Sequence, residues 1–230
     1  AKTSSMASPA LSDPDAGAYA VDVRNTIGEV RSEPAQLEVI PPVPRPGRMD
    51  LKFRGFPPSN LSVVSVLAAA AQPDGRLLIG GSITKVGTLN AYGVLRLHAD
   101  GTLDPGFDPG IGITNVSGRV RTVRAILPQP DGRVLVGGEF FTYHGLQRQG
   151  LARLLPNGTV DRGFISPGSM NDRVQTIALQ PDGRILVGGW FTKRLVRLLP
   201  DGTADATFAP SISWSHVHSV AIQPDGRLVV

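Results

Sequence analysis

Apolar positions in this chain fall in short runs, closed by turn residues and without a helical period. Val123-Arg124-Ala125-Ile126-Leu127 precedes Gln129-Pro130-Asp131-Gly132-Arg133, and Val134-Leu135-Val136 follows it. The pentapeptide Gln-Pro-Asp-Gly-Arg begins at Gln72, Gln129, Gln180 and Gln223, spaced by 57, 51 and 43 residues, with apolar runs on both sides each time. Pro presets φ, Asp bonds its local backbone and Gly takes positive φ, so each copy predicts a β-hairpin. The runs alternate only in part, which predicts strands buried on both faces. In three copies the second strand ends on a glycine pair, at Gly80-Gly81, Gly137-Gly138 and Gly188-Gly189. Such a pair allows a bulge or a close backbone approach.

A second signature lies downstream in each complete unit. It reads Arg96-Leu97-His98-Ala99-Asp100-Gly101-Thr102, then Arg153-Leu154-Leu155-Pro156-Asn157-Gly158-Thr159, then Arg197-Leu198-Leu199-Pro200-Asp201-Gly202-Thr203. An acid and an aromatic follow at fixed offsets: Asp104 and Phe107, Asp161 and Phe164, Asp205 and Phe208. Each unit therefore predicts three strands, with a short fourth near Phe107, Phe164 and Phe208. Length varies in one connection. Glu139–Gly150 is long where the next unit has only Trp190–Arg194, which places this segment on the surface. The loops at Ser82–Ala91 and Glu139–Gly150 are the expected ligand-facing segments.

An antiparallel unit of three or four strands at this period fits the blade of a β-propeller. A tandem sandwich array needs about 90 to 100 residues per domain. The predicted fold is all-β: propeller-type blades, three complete repeats and the start of a fourth. The last residues, Leu228-Val229-Val230, sit inside a strand-type run, and nothing near Ala1 reads as a signal peptide. The expectation is therefore a fragment of a longer protein, an arc that meets the remaining blades of its parent chain.

Taken together, the apolar run, Gln-Pro-Asp-Gly-Arg, Gly-Gly, Phe-Thr, Arg-Leu-Leu, Pro-Asn-Gly-Thr, Asp and Phe resemble the delta-60 repeat, over about Leu61 to Val230. The first unit departs slightly, with Ser82-Ile83-Thr84 where the others carry an aromatic and Phe-Thr. The resemblance implies a noncatalytic propeller module of a large, mostly bacterial, secreted or surface protein. It brings no catalytic residues with it.

The first 40 residues lack the repeat. Asp15-Ala16-Gly17-Ala18-Tyr19-Ala20-Val21 resembles the tyrosine-corner approach to strand F of an immunoglobulin-like domain, with Val21 at the usual cysteine position. Strand F is expected at Gly17–Arg24 and strand G at Glu29–Ile40. A lone hairpin of this kind is marginal in water. Residues 41–60 open with Pro41-Pro42-Val43-Pro44-Arg45-Pro46-Gly47 and are expected to form a stiff linker. The division is thus 1–40, 41–60 and 61–230.

Composition then excludes several classes. The 230 residues contain no cysteine, which removes disulfide scaffolds and cysteine-ligated metals. Glycine (27) and proline (20) are too frequent for a coiled coil. With 41% hydrophobic residues the chain can supply a core. Lys and Arg number 23 against 19 Asp and Glu, an excess of +4 spread along the chain, so nucleic acid is not an expected partner. No apolar run reaches about 18 residues, so no membrane insertion is expected.

Candidate chemistry is sparse. His216 and His218 could face one side and share a metal, but no third ligand stands near them in sequence. Asp104 and Asp108 flank Pro105-Gly106-Phe107 without the spacing of a calcium loop, which favours backbone capping. No cofactor is expected. Asp74, Asp131, Asp182 and Asp225, like Arg76, Arg133, Arg184 and Arg227, recur identically and so read as turn structure. The unit-specific residues Tyr143, His144, Trp190 and Trp214 are the candidate ligand-binding set, Tyr143 and His144 foremost because they sit in the variable loop. The expected function is an interaction module of an exported or cell-surface protein that binds a protein or polysaccharide through blade loops. The alternative is a propeller hydrolase or lyase acting on polysaccharide, which needs acids or histidines converging near the propeller axis.

Overall fold

The computed structural model of the protein describes residues 17–19, 22–24, 29–31, 35–37, 61–86, 89–90, 93–110, 112–114, 122–168, 170, 172–213 and 215–230. The chain divides into two compact units, Ala1–Asp50 and Leu51–Val230.

In the first unit, β1 (Gly17–Tyr19), β2 (Asp22–Arg24), β3 (Glu29–Arg31) and β4 (Ala35–Leu37) form two antiparallel two-stranded ladders. β2 pairs β3 with Arg24 opposite Glu29, and β1 pairs β4 with Gly17 opposite Leu37. Val21 and the proline-rich stretch at 41–60 lie outside the described residues.

The second unit is built of strands, with no helix among the described residues. They are β5 (Leu61–Ala71), β6 (Leu77–Val86), β7 (Leu89–Asn90), β8 (Val94–Leu97), β9 (Ile113–Thr114), β10 (Thr122–Pro128), β11 (Val134–Glu139), β12 (Thr142–Tyr143), β13 (Leu146–Gln147), β14 (Leu151–Leu154), β15 (Val174–Leu179), β16 (Ile185–Gly189), β17 (Leu195–Leu198), β18 (Ala221–Ile222) and β19 (Leu228–Val229). Three antiparallel blades follow in order: β5-β6-β8, β10-β11-β14 and β15-β16-β17; β18-β19 opens a fourth. The fold is propeller-type. Within each blade the signature pentapeptide closes the first hairpin. In the second, the Gln129 N–H donates to Arg133 O at 2.8 Å and the Gly132 N–H to Gln129 O at 3.0 Å. The Arg133 N–H donates to Asp131 Oδ1 at 3.0 Å, so the recurring aspartate is an Asx-turn acceptor.

The fourth strand is a single antiparallel bridge, Leu97 to Leu103, Leu154 to Val160 and Leu198 to Ala204. It lies four residues before the expected phenylalanines. An Asp-led turn follows it and sends each phenylalanine toward the blade interior.

The glycine pair serves two close approaches. A Cβ on Gly137 would stand 2.5 Å from Val174 Cγ1 of the next blade, and one on Gly80 or Gly188 would meet Val123 or Val217 at 2.7 and 2.6 Å. The first glycine is therefore a slot for a valine of the following blade. A Cβ on Gly138 would stand 2.0 Å from the Thr122 carbonyl oxygen, opposite the β10 bulge between Val123 and Ala125. The second glycine lets the blade's own first strand cross closely.

Apolar cores fill the spaces between sheets. Leu78 and Val94 of the first blade meet Val123, Val136 and Leu154 of the second, and Leu135 and Leu151 of the second meet Val174, Ile185 and Val187 of the third. Burying each such side chain contributes about 1.5–3 kcal/mol. Between blades, the first strand of one sheet packs on the first two strands of the sheet before it: β10 lies against β5 and β6, and β15 against β10 and β11.

The variable connection folds as a miniature sheet. β12 pairs with β13 across His144-Gly145 and with β9 on its other edge. Tyr143 is 0% exposed, and its ring meets Phe140 edge-on at 5.8 Å.

Candidate functional site

Two sets of polar residues occupy the blades, one repeated and one divergent. The repeated set begins with the arginine of each third strand. Arg96 Nε donates to Asp104 Oδ2 at 2.8 Å and its guanidinium lies 4.7 Å from the Phe107 ring centroid. Arg153, Asp161 and Phe164 reproduce this at 2.8 and 4.6 Å; Arg197, Asp205 and Phe208 do so at 2.8 and 4.7 Å. The arginine of the signature pentapeptide adds a second cation: Arg76 Nε stands 3.4 Å from Asp104 Oδ2 and Arg184 Nε 3.4 Å from Asp205 Oδ2. The other carboxylate oxygen accepts a backbone N–H, that of Gly106 for Asp104 at 2.8 Å and that of Gly163 for Asp161 at 2.9 Å.

This clasp also joins blades. Arg96 Nη1 donates to the Pro156 carbonyl of the second blade at 2.7 Å, and Arg153 Nη1 to the Pro200 carbonyl of the third at 2.5 Å. Beside them the Asp108 N–H donates to Asn157 O and the Ile165 N–H to Asp201 O, at 2.9 and 2.8 Å. In the third clasp Arg197 Nη2 turns to Thr207 Oγ1 at 3.3 Å, and a groove of about 470 Å³ lies against Arg197, Asp205 and Phe208.

The clasp fixes its own ionisation. Burial alone would raise the Asp104 and Asp161 carboxyls, but hydrogen bonds from backbone and arginine, and the nearby guanidiniums, hold both below the usual carboxylate range. Asp205 is lowered to about 2, first by the Thr207 hydroxyl and N–H and then, against a desolvation cost, by Arg197. Asp104 thus spends its lone pairs on arginines and a backbone amide. Asp108 Oδ1 accepts the Gly110 N–H at 2.8 Å. Both aspartates act as backbone caps.

The divergent set lies at the opposite end of the strands, where the residue after each glycine pair meets the residue before the next blade's first valine. The first such pair is Ser82 and Thr122, whose hydroxyls are 3.2 Å apart and buried. The second is Glu139 and Arg173, an ion pair that Arg124 joins with Nε 2.8 Å from Glu139 Oε1. The third is Trp190 and His216, stacked with centroids 4.1 Å apart and rings inclined by 21°. His218 sits edge-on to both, 4.6 Å from His216 and 6.3 Å from Trp190. Arg173 links the second pair to the third, its guanidinium carbon 4.8 Å from the Trp190 centroid. Trp190 remains 42% exposed. The His216 Nδ1 shares a hydrogen bond with Ser215 Oγ at 2.7 Å, and Arg194 Nε donates to the Ser215 carbonyl at 3.3 Å.

The expected ligand-binding residues separate. Trp190 belongs to this rim. Tyr143 does not: it is buried, its hydroxyl has no hydrogen-bond partner among the described residues, and burial pushes its phenol well above the ordinary value. Tyr143 ends β12 buried and anchors the loop, while His144 takes the exposed turn that follows at φ 49°. The His144 ring lies over Gly110. Trp214 lies outside the described residues. His216 and His218 do come together, yet no third His, Cys, Asp or Glu joins them among the described residues. Arg124, Glu139 and Arg173 were not singled out by the sequence. Their signal was available: after aligning the glycine pairs, the next residue reads Ser, Glu and Trp, the sharpest departure from the repeat.

Comparison with known proteins supports the repeat. Residues 72–107, 129–164 and 180–208 match the model of a family described as a domain of unknown function, DUF5122, β-propeller. The chain therefore carries repeats of a propeller-type family. No curated protein matches it. Among solved structures it is similar to the extracellular domain of a B. thetaiotaomicron protein, BT4673, described as a one component system, at 16% identity and a TM-score of 0.47. That match covers 71% of this chain and 20% of the other. It is also similar to a streptogramin B lyase, at 15% identity and a TM-score of 0.48, over 74% of this chain and 49% of the lyase. The chain thus spans from a fifth to about half the length of these structures.

Proposed function

We propose that the propeller-type repeats form a noncatalytic interaction platform, of the delta-60 kind, in an exported or cell-surface multidomain protein. It binds a polysaccharide or protein at the blade ends. The observation that carries this reading is the split between the two polar sets. The recurring carboxylates at Asp104, Asp161 and Asp205 are each engaged by arginine and backbone donors. An acid held this way is ionised and has no oxygen free to move a proton. The residues that differ from blade to blade gather at one end, where Trp190 and His218 are open to solvent. Aromatic and arginine side chains in this setting are the usual anchors of a binding surface. The extracellular setting and the immunoglobulin-like origin of residues 1–40 rest on the sequence resemblances alone.

A glycan array probed with the 230-residue chain, paired with a turnover assay on every bound glycan, tests this. Binding without product is the expected result. Glycan cleavage that a single His216 or His218 substitution abolishes would refute a noncatalytic platform.

A further inference from the structure

We infer that the divergent rim is a carboxylate-reading site for an acidic polysaccharide, a chain of uronate sugars, with Arg124 and Arg173 as the recognition residues. This rests on the reading of the blades as a binding platform and adds the ligand class.

The inference starts from how the two arginines are held. Arg124 and Arg173 both reach Glu139 Oε1 through Nε. Neither guanidinium places its terminal Nη groups on another protein acceptor among the described residues. Arg124 is hydrogen-bonded at Nε and Arg173 is held beside Glu139 and over the Trp190 ring, which leaves both terminal Nη forks to an incoming acceptor. That fork matches the two oxygens of a carboxylate, and a fork already oriented loses little entropy on binding. In the clasp the opposite holds: Arg96 and Arg153 use Nε on the aspartate and Nη1 on a next-blade carbonyl. One residue type thus has its fork engaged at one end of the blades and open at the other.

Charge points the same way. Glu139 neutralises one of its two arginines, so the cluster keeps one net positive charge. His216 and His218 stand next to it, one stacked on Trp190 and the other edge-on to it. Both rim arginines are about three-quarters buried, at 25% and 28% side-chain exposure, so a bound carboxylate would be screened less than at an open surface.

A sugar, and not an acidic peptide, is favoured by Trp190. It borders the Arg173 fork, is fixed from its neighbours by Arg173 and His216, and keeps 42% of its surface open. Its exposed ring edge gives rigid apolar contact beside the carboxylate fork, which suits the C–H groups of a pyranose that carries a carboxylate. Arg124 and Arg173, from two blades, converge on one oxygen of Glu139, so both forks face the same carboxylate of a bound chain.

The test titrates the 230-residue chain with oligogalacturonate and with its fully methyl-esterified form at low salt, following heat and Trp fluorescence. The acid form is expected to bind at least about tenfold tighter than the ester, since a charged hydrogen bond is worth that much. Affinity should fall as salt rises. Arg173→Gln should lower affinity about tenfold with an unchanged thermal midpoint, and Arg124→Gln should lower it too, which covers the case in which one variant misfolds. Equal binding of acid and ester, or full affinity in the Arg173→Gln, Arg124→Gln double variant, overturns the inference. Tighter binding of polyglutamate than of oligogalacturonate also overturns it, and leaves the platform reading intact. The platform reading itself fails separately, if no glycan and no protein ligand is retained by the folded chain.

Discussion

The two ends of a blade use the same residue types for opposite purposes. At one end Arg96, Arg153 and Arg197 meet Asp104, Asp161 and Asp205 at the same 2.8 Å in all three repeats. At the other end the matching positions hold a hydroxyl pair, an ion pair and an aromatic stack. The clasp does one mechanical task in every blade, so one solution suffices and variation is costly. At the rim the blades need only to touch, and three unrelated contacts all achieve that. Freedom to vary is where a binding surface can be built without loosening the fold.

The contrast can be broken at its strongest point first. Gly138→Ala puts a methyl group 2.0 Å from the Thr122 carbonyl oxygen. It should cost about 4 kcal/mol, near the top of the range for single substitutions, measured by urea unfolding. Asp161→Ala comes next. It strands Arg153, whose side chain is 8% exposed, and should cost about 3 kcal/mol. The matching rim change, Glu139→Gln, should cost under about 1 kcal/mol because its ion pairs are partly solvated. Equal losses for these two acids would erase the distinction between the ends.

Acid offers a gentler probe. The clasp aspartates have folded pKa values below the unfolded carboxylate value of about 3.9. Their contribution is complete above that value and disappears as pH falls through the folded values, to about 2 for Asp205. Stability should be flat from pH 7 to 5 and drop between about pH 4 and pH 2, with a shallower drop in Asp205→Asn. The smallest stability effect is expected for Trp190→Phe, within about 0.5 kcal/mol for a half-open side chain. Its binding loss should be the larger signal.

The repeat made the fold legible. Turn chemistry at Gln72, Gln129, Gln180 and Gln223 dictates hairpins locally, so strand order followed without knowledge of long-range packing. The short fourth strand lies just before Phe107, Phe164 and Phe208 and not on them, because the repeated Asp104, Asp161 and Asp205 form a turn first. Tyr143 misled for a related reason: a longer loop suggests exposure, yet this one pairs with β9 and buries its tyrosine as an anchor. The rim was hidden because its pairs join residues 26 to 40 positions apart on different blades, as in Trp190 with His216 and Ser82 with Thr122. Only the register between blades brings them together. That register is set by valines entering glycine slots, which no local pattern reveals.

One paired measurement tests the division of labour most directly: urea unfolding and oligogalacturonate affinity, side by side, for Asp161→Asn and Arg173→Gln. The predicted result is a crossover. Asp161→Asn lowers the unfolding free energy by about 2 kcal/mol or more and leaves the affinity of the folded protein unchanged. Arg173→Gln shifts stability by less than about 1 kcal/mol and removes most of the affinity. Parallel losses in both quantities for both variants, or a stability loss confined to Arg173→Gln, would contradict it.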